Sequence, residues 1–194
     1  MKHAIRPALA VFAVLTLLCG LAYPLAVTGL AQLILPRQAN GSLVEHDGKV
    51  LGSQLIGQSF SSPRYFWGRP SATAPTPNNA AASSGANQGP SNPALKDAVA
   101  GRIAALRAAD PGNRDPIPVD LVTASASGLD PHISPAAALF QVERVAAARG
   151  FPRERVQGLV EAHTEHPWLG LFGEARVHVL SLNLALDEQM PHTR

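Results

Sequence analysis

Residues 8–35, ALAVFAVLTLLCGLAYPLAVTGLAQLIL, decide how the rest of this sequence is read. Between Pro7 and Pro36 the only ionisable side chains are Cys19 and Tyr23. A helix over this run reaches about 42 Å at 1.5 Å per residue, more than the roughly 30 Å hydrocarbon core of a bilayer, so one tilted transmembrane span fits. Lys2 and Arg6 precede the run, while only Arg37 follows closely before the mixed Glu45, Asp47 and Lys49. The asymmetry of basic residues places residues 1–7 in the cytoplasm and residues 36–194 outside. The rival reading is a cleavable signal peptide with Gly20 and Ala22 before the cut, but apolar character continues to Leu35, beyond the length of an h-region. Within the span Gly20, Ala22, Ala26 and Gly29 are small and Pro24 removes a backbone donor, a pattern that lets a partner helix approach closely.

Composition agrees with one span plus one small domain. The chain has 194 residues, 46% of them hydrophobic, and 15% charged against about 25% in ordinary soluble domains. That length excludes a multidomain enzyme. The net charge of +2 equals the contribution of Lys2 and Arg6; beyond Arg6 the 14 basic and 14 acidic side chains cancel. The pI near 9.0 is therefore a tail effect, and nucleic-acid binding has no basic stripe to support it. With 17 Pro and 16 Gly the body is rich in turns, and the single cysteine, Cys19, forms no internal disulfide.

Outward from the span, residues 42–51 place Leu43 and Val44, then Val50 and Leu51, around Asp47-Gly48, which predicts a short hairpin. Residues 64–70 carry Tyr65, Phe66 and Trp67 in succession beside Arg69; the rings either plug a small core or anchor a partner. Residues 71–93 hold no charge and no large apolar side chain, a long loop and the best candidate for a binding segment, with Asn87 near its middle. Asn92-Pro93 then caps a helix with Leu95, Val99, Ile103 and Leu106 on one stripe, ending at Asp110-Pro111-Gly112. A second helix runs from Ser134-Pro135 to Arg149-Gly150, facing inward through Leu139, Val142, Val145 and Ala146. A third runs from Pro152 to His163, facing inward through Val156, Leu159 and Val160. Residues 176–179 alternate as a strand, and Leu180, Leu182, Leu184 and Leu186 alternate in the opposite phase, so the strand bends or passes into a short helix. The expected class is α+β: one membrane helix followed by an antiparallel sheet with about three helices.

Chemistry-bearing clusters are few. Ser125, Ser127, Asp130 and His132 are the residue types of a serine hydrolase, which makes a membrane-anchored extracytoplasmic hydrolase the alternative function, but no G-x-S-x-G elbow frames them. The other reading is that their hydroxyls and carboxylate cap turns and helix starts. His163 and His166 lie three apart without the further ligands of a metal site, and His178 sits inside the last strand as a half-buried hydrogen-bonding residue. No phosphate-cradling loop occurs. No catalytic residue and no metal ligand is assigned.

The order of several motifs is itself informative: Tyr23-Pro24, then 38–43 QANGSL, 52–53 GS with 55–58 LIGQ, 65–71 YFWGRPS, 91–93 SNP, 121–130 LVTASASGLD and 182–187 LNLALD. Together they closely resemble the C chain of the high-affinity potassium-transporting ATPase, the KdpC family, over nearly the whole chain. The resemblance implies a non-catalytic subunit needed for assembly and stability of an inner-membrane complex that hydrolyses ATP to bring K⁺ into the cell. The partners it implies are a channel-like potassium-binding subunit, a P-type ATPase subunit and a small single-span subunit, besides the lipid bilayer. It also implies a proposed catalytic-chaperone role, in which the C chain raises the ATP affinity of the ATPase subunit in a transient ternary complex. Gln141 matches a family glutamine and is the residue to test for such nucleotide contact.

A periplasmic domain cannot reach cytoplasmic ATP, so topology and the nucleotide role conflict, and contact with the channel-like subunit near its outer mouth is the simpler role. The sequence departs from the family pattern at Asn78, where tyrosine is usual, across Ser83-Ser84-Gly85-Ala86-Asn87, and at His178, where asparagine is usual. Topology is directly testable. With Cys19→Ser in place, an Asn87→Cys chain is expected to react with a membrane-impermeant thiol reagent in intact spheroplasts; reaction only after lysis reverses the orientation.

Overall fold

The computed structural model describes residues 2–189, with side chains from Ala4 onward; Met1 and residues 190–194, the outer ends of the expected cytoplasmic segment and periplasmic domain, lie outside the described residues. The chain divides into two compact units, Met1–Ser53 and Gln54–Arg194.

In the first unit, helix α1 (Lys2–Leu17), a π-helical turn (Leu18–Ala22) and helix α2 (Tyr23–Ile34) follow one another without a break. Ala4–Ile34 is, among the described residues, the one helical stretch long and apolar enough to cross a membrane. It begins earlier than residue 8 because the helix runs through Pro7. The Tyr23 N–H donates to the Leu18 carbonyl five residues back, so the turn widens next to Pro24, which has no N–H to continue the ladder. Leu35 leaves the helical region at φ −133°, as the residue before Pro36 favours, and the long helix stops there. A short helix α3 (Pro36–Ala39) precedes strands β1 (Leu43–His46) and β2 (Lys49–Ser53), which pair antiparallel. Asp47 and Gly48 both have positive φ, the geometry of the expected two-residue turn. The hairpin packs within this unit, although the sequence pattern grouped it with the outer domain.

The second unit holds α4 (Pro93–Ala109), β3 (His132–Ile133), α5 (Pro135–Arg149), α6 (Arg153–Ala162), β4 (Thr164–Glu165), β5 (Arg176–His178) and α7 (Val179–Gln189). Its three strands form one antiparallel sheet ordered β3-β5-β4. Asn92 and Ser134 cap α4 and α5 by accepting N–H bonds from Ala94 and Ala137, and left-handed Gly150 ends α5. Among the described residues the architecture is α+β as expected, with two small sheets in place of one and a fourth domain helix. That helix is α7: the strand ends at His178 and the alternating leucines continue as helix. This is the second of the two readings of that stretch; alternation left the choice open because α7 is buried over much of its surface, with Leu180, Leu182, Asn183, Ala185 and Leu186 all inside. Two inner-face assignments also change. Leu139 and Ile103 are exposed, and of the α4 stripe only Leu106 is fully in the core.

The core closes around residues 63–67, a turn at Pro63-Arg64 followed by irregular chain that has no strand neighbour among the described residues. Side chains take that neighbour's place. From α5, Arg144 donates to the Pro63 and Tyr65 carbonyls (2.6 and 3.1 Å) and Arg149 Nε donates to the Arg64 carbonyl (2.7 Å). The Asn183 amide of α7 accepts from the Phe66 N–H (2.9 Å) and donates to the Phe66 carbonyl (3.0 Å). The Gln141 amide makes the same pair of bonds with Trp67, at 2.8 and 3.1 Å. Phe66 is completely buried, Arg144 lies 4.3 Å over the Trp67 ring, and Arg149 lies 4.9 Å over Tyr65. Replacing Asn183 by leucine leaves two buried backbone groups unpaired and is expected to cost about 2–5 kcal/mol in urea unfolding. Arg153→Ala, which removes an exposed ion pair with Glu143, is expected to cost no more than about 0.5 kcal/mol.

Candidate functional site

Two residues beyond Trp67 the chain reaches Arg69 and opens into a cleft of about 760 Å³, lined among others by Asp120, Asp130, His132, Ser134 and Arg176. Arg69 Nη1 donates to Asp130 Oδ2 at 3.0 Å, and the His132 N–H donates to Asp130 Oδ1 at 3.0 Å with the ring Nδ1 3.4 Å away. The hydrogen bond with His132, helped by Arg69 and opposed by burial, holds the Asp130 carboxyl down at about 2. Asp120 accepts from the Ser134 N–H (2.7 Å) and hydroxyl (3.2 Å), and the Ser134 oxygen in turn caps α5. Each carboxylate thus organises local backbone rather than pointing free into the cleft.

The hydrolase arrangement is not formed. Ser125 Oγ accepts the Gly128 N–H at 3.0 Å and Ser127 Oγ accepts the Leu129 N–H at 3.2 Å, so both hydroxyls close turns. His132 instead meets His178 edge to face, with ring centroids 5.2 Å apart. His178 is buried on β5, and its tautomer follows from its neighbours. Nε2 lies 3.0 Å from the Gln54 carbonyl, which can only accept, while Nδ1 accepts the Ser181 N–H at 3.1 Å, so Nε2 carries the proton and the ring is neutral. Burial pushes the His178 pKa below its usual 6.5; the Gln54 carbonyl opposes the change and His132 adds to it. His163 Nδ1 faces the Leu159 carbonyl at 2.9 Å, and among the described residues no group of His, Cys, Asp and Glu is arranged to hold a metal.

Residues 71–93 hold little regular structure beyond one 3₁₀ turn, Ala80–Ala82, but their first part is tied down. Ser71 Oγ donates to the Gly128 carbonyl (2.7 Å) and accepts the Asn78 N–H (2.9 Å), and Thr73 Oγ1 accepts the Asn79 N–H (3.0 Å). Close approach explains two glycines. A Cβ on Gly57 would fall 2.8 Å from the Asp130 carbonyl oxygen, and one on Gly128, whose φ is +72°, 2.8 Å from the Thr73 methyl. Asn87 lies farther along the loop, exposed and with φ +49°.

The sequence-selected residues therefore separate. Phe66 has no exposed surface and is a core plug, not a partner anchor; Tyr65, Trp67 and Arg69 are half-buried. Gln141, singled out for nucleotide contact, is 1% exposed with its amide bonded to Trp67, Ala137 and Arg144, which leaves no group for a ligand. On the long helix Ala22, the last residue of the π turn, falls on one face with Ala26 and Gly29 at i, i+4 and i+7, while Gly20 lies earlier in the same turn and Pro24 on another face. A feature not singled out in the sequence also emerges. Trp168, Leu169, Leu171 and Phe172 stand exposed between β4 and β5. Its signal was present as an apolar run bounded by Pro167 and Gly173.

With this geometry in view, comparison with known proteins is specific. The family model described as K⁺-transporting ATPase, c chain (KdpC) matches residues 5–188. A potassium-transporting ATPase KdpC subunit of Polaromonas naphthalenivorans (strain CJ2) is 69% identical over 191 residues, covering 98% of this chain and 97% of its own. The protein of the same name from Herminiimonas arsenicoxydans is 63% identical over 188 residues, with 97% and 99% covered. That from Variovorax paradoxus (strain S110) is 65% identical over 187 residues, with 96% and 97% covered.

The neutral His178 has a consequence for stability. Its folded pKa lies below 6.5, so between the two values the unfolded chain binds more protons, and stability is full above pH 6.5 and falls as the pH drops through that window. Melting temperature is expected to decline between pH 7.5 and 5. In His178→Asn, whose amide can accept from Ser181 and donate to Gln54, that decline is expected to be smaller.

Proposed function

The chain belongs to the KdpC family, the C chain of the K⁺-transporting ATPase, and on that premise we propose that it is a membrane-anchored accessory subunit that braces the assembled transporter and has no turnover of its own. In this reading Ala4–Ile34 crosses the bacterial inner membrane once, with its N-terminus in the cytoplasm and the α+β domain in the periplasm. There the domain meets the channel-like subunit near its outer mouth, beside the P-type ATPase subunit and the small single-span subunit.

One observation carries the accessory role: the polar side chains that would do chemistry are engaged in holding backbone. Ser125, Ser127, Asp120 and Asp130 satisfy turns and a helix start, and Gln141 and Asn183 satisfy the irregular backbone at Phe66-Trp67. A role in raising ATP affinity through Gln141 would require its amide to leave Trp67, so the reading is built on contact between subunits, without nucleotide contact by this chain.

Truncation tests the proposal. A chain ending at Pro36 is expected to reduce both co-purification of the other subunits and K⁺-dependent ATPase activity to background. Intact assembly with full activity would sink the reading. Intact assembly with only a raised KM for ATP would replace it by the catalytic-chaperone role.

A further inference from the structure

Strands β4 and β5 pair through Thr164 with Val177 and Glu165 with Arg176, and the ten residues between them, HPWLGLFGEA, fold back on themselves. The Trp168 N–H donates to the Phe172 carbonyl and the Phe172 N–H donates to the Trp168 carbonyl, each at 3.0 Å. Their rings lie 5.8 Å apart. Leu169 and Gly170, at φ +54° and +71°, turn the chain at the tip. The result is an ordered finger, yet Trp168 is 71% exposed, Leu169 70%, Leu171 81% and Phe172 63%. Elsewhere in this unit the exposed large apolar side chains, such as Leu55, Val119 and Leu139, stand apart from one another in sequence.

Leu169 sharpens the point. A left-handed backbone disfavours a leucine by about 1–2 kcal/mol and suits glycine or asparagine, and this side chain, 70% exposed, recovers little by burial within its own chain. A strained, exposed leucine beside an exposed tryptophan and phenylalanine has the composition of a binding anchor, rigid before it binds and large in apolar area.

The surrounding charge selects the occupant. From residue 156 to residue 175 there is no lysine or arginine, while Glu161, Glu165 and Glu174 are present. Arg176, the first cation after the finger, pairs with Glu165 at 2.9 Å. An anionic bilayer surface draws in basic residues and repels such a stretch. A protein pocket with an apolar floor and a basic rim complements it. We propose that residues 168–172 are a docking finger that seats in an apolar, basic-rimmed pocket on another subunit of the transporting ATPase. The proposal rests on the accessory-subunit reading above and assigns it a contact point.

The test uses the full chain expressed with the other subunits. Trp168→Ser with Phe172→Ser is expected to lower recovery of the detergent-solubilised complex at least fivefold. Leu169→Asn relieves the backbone strain, so it is expected to keep or raise the melting temperature of the chain while still lowering complex recovery at least twofold. A purely structural hairpin would not separate those two readouts, and Leu169→Asn remains decisive if the double variant fails to fold. Unchanged recovery in Leu169→Asn overturns the proposal. So does quenching of Trp168 fluorescence by brominated phosphatidylcholine in proteoliposomes of the assembled complex, read against Trp168→Phe, because it places the finger in lipid. If finger variants assemble normally while the chain ending at Pro36 does not, the finger assignment alone fails; if the truncated chain also assembles, the accessory reading fails with it.

Discussion

A short segment around one fully buried side chain, Phe66, with no strand neighbour among the described residues, sets the terms for the Gln54–Arg194 unit. Phe66 lies in the centre of the core, which forces the backbone groups around it out of water, and each unpaired group there would cost about 1–3 kcal/mol. The chain meets that demand with side chains from two helices. Arg144 and Arg149 hold carbonyls, and the amides of Gln141 and Asn183 each supply one donor and one acceptor, as an adjacent strand would. Burying Arg144 has a cost of its own: desolvation lowers its pKa to about 10, and it bonds to carbonyls and an amide oxygen while stacked on Trp67. Arg149 has a true counter-ion in Asp187, 2.7 Å away, which also accepts the Tyr65 hydroxyl at 2.9 Å. Helices α5 and α7 are thereby fixed relative to one another through a segment that belongs to neither.

Everything downstream inherits this placement. Once Trp67 is clamped, Arg69 falls where it can bond Asp130, and Ser71 where it can bond the Gly128 carbonyl. Residues 125–130 are thus held from two sides, by their own serine-closed turns and by the chain leaving the clamp. Gly57 donates its N–H to the Leu129 carbonyl at 2.8 Å and approaches Asp130 too closely for any side chain, so a third segment meets at the same turn. The hydroxyl-rich stretch that resembles a nucleophile cluster in sequence is in space a junction of three loops.

What was legible in the sequence followed local rules. The long helix needed only the uncharged run and Pro36; α4 and α5 announced themselves by Asn92-Pro93 and Ser134-Pro135, and the first hairpin by Asp47-Gly48. What stayed hidden was non-local. Nothing near Asn183 reveals that it pairs with Phe66, 117 positions earlier, or near Gln141 that it pairs with Trp67, 74 positions earlier. A buried amide among leucines also left the stretch of α7 open between a bent strand and a short helix, since it broke the apolar face that would have marked a helix outright. The finger escaped for the opposite reason: an apolar run reads as core until the structure shows it outside.

His178 shows how the same polar logic tolerates a change of residue. The resemblance leads to asparagine at this position, and asparagine offers one acceptor and one donor. A neutral imidazole with its proton on Nε2 offers the same two groups on opposite sides of the ring, one taken by the Ser181 N–H and the other by the Gln54 carbonyl. The hydrogen-bond polarity of the site is therefore kept. The ring adds an aromatic edge against His132 and a group that can take up a proton, and protonation would set an Nδ1–H against the Ser181 N–H. Replacing an amide by histidine thus preserves the fold at neutral pH while giving this domain a sensitivity to acid that an asparagine would lack.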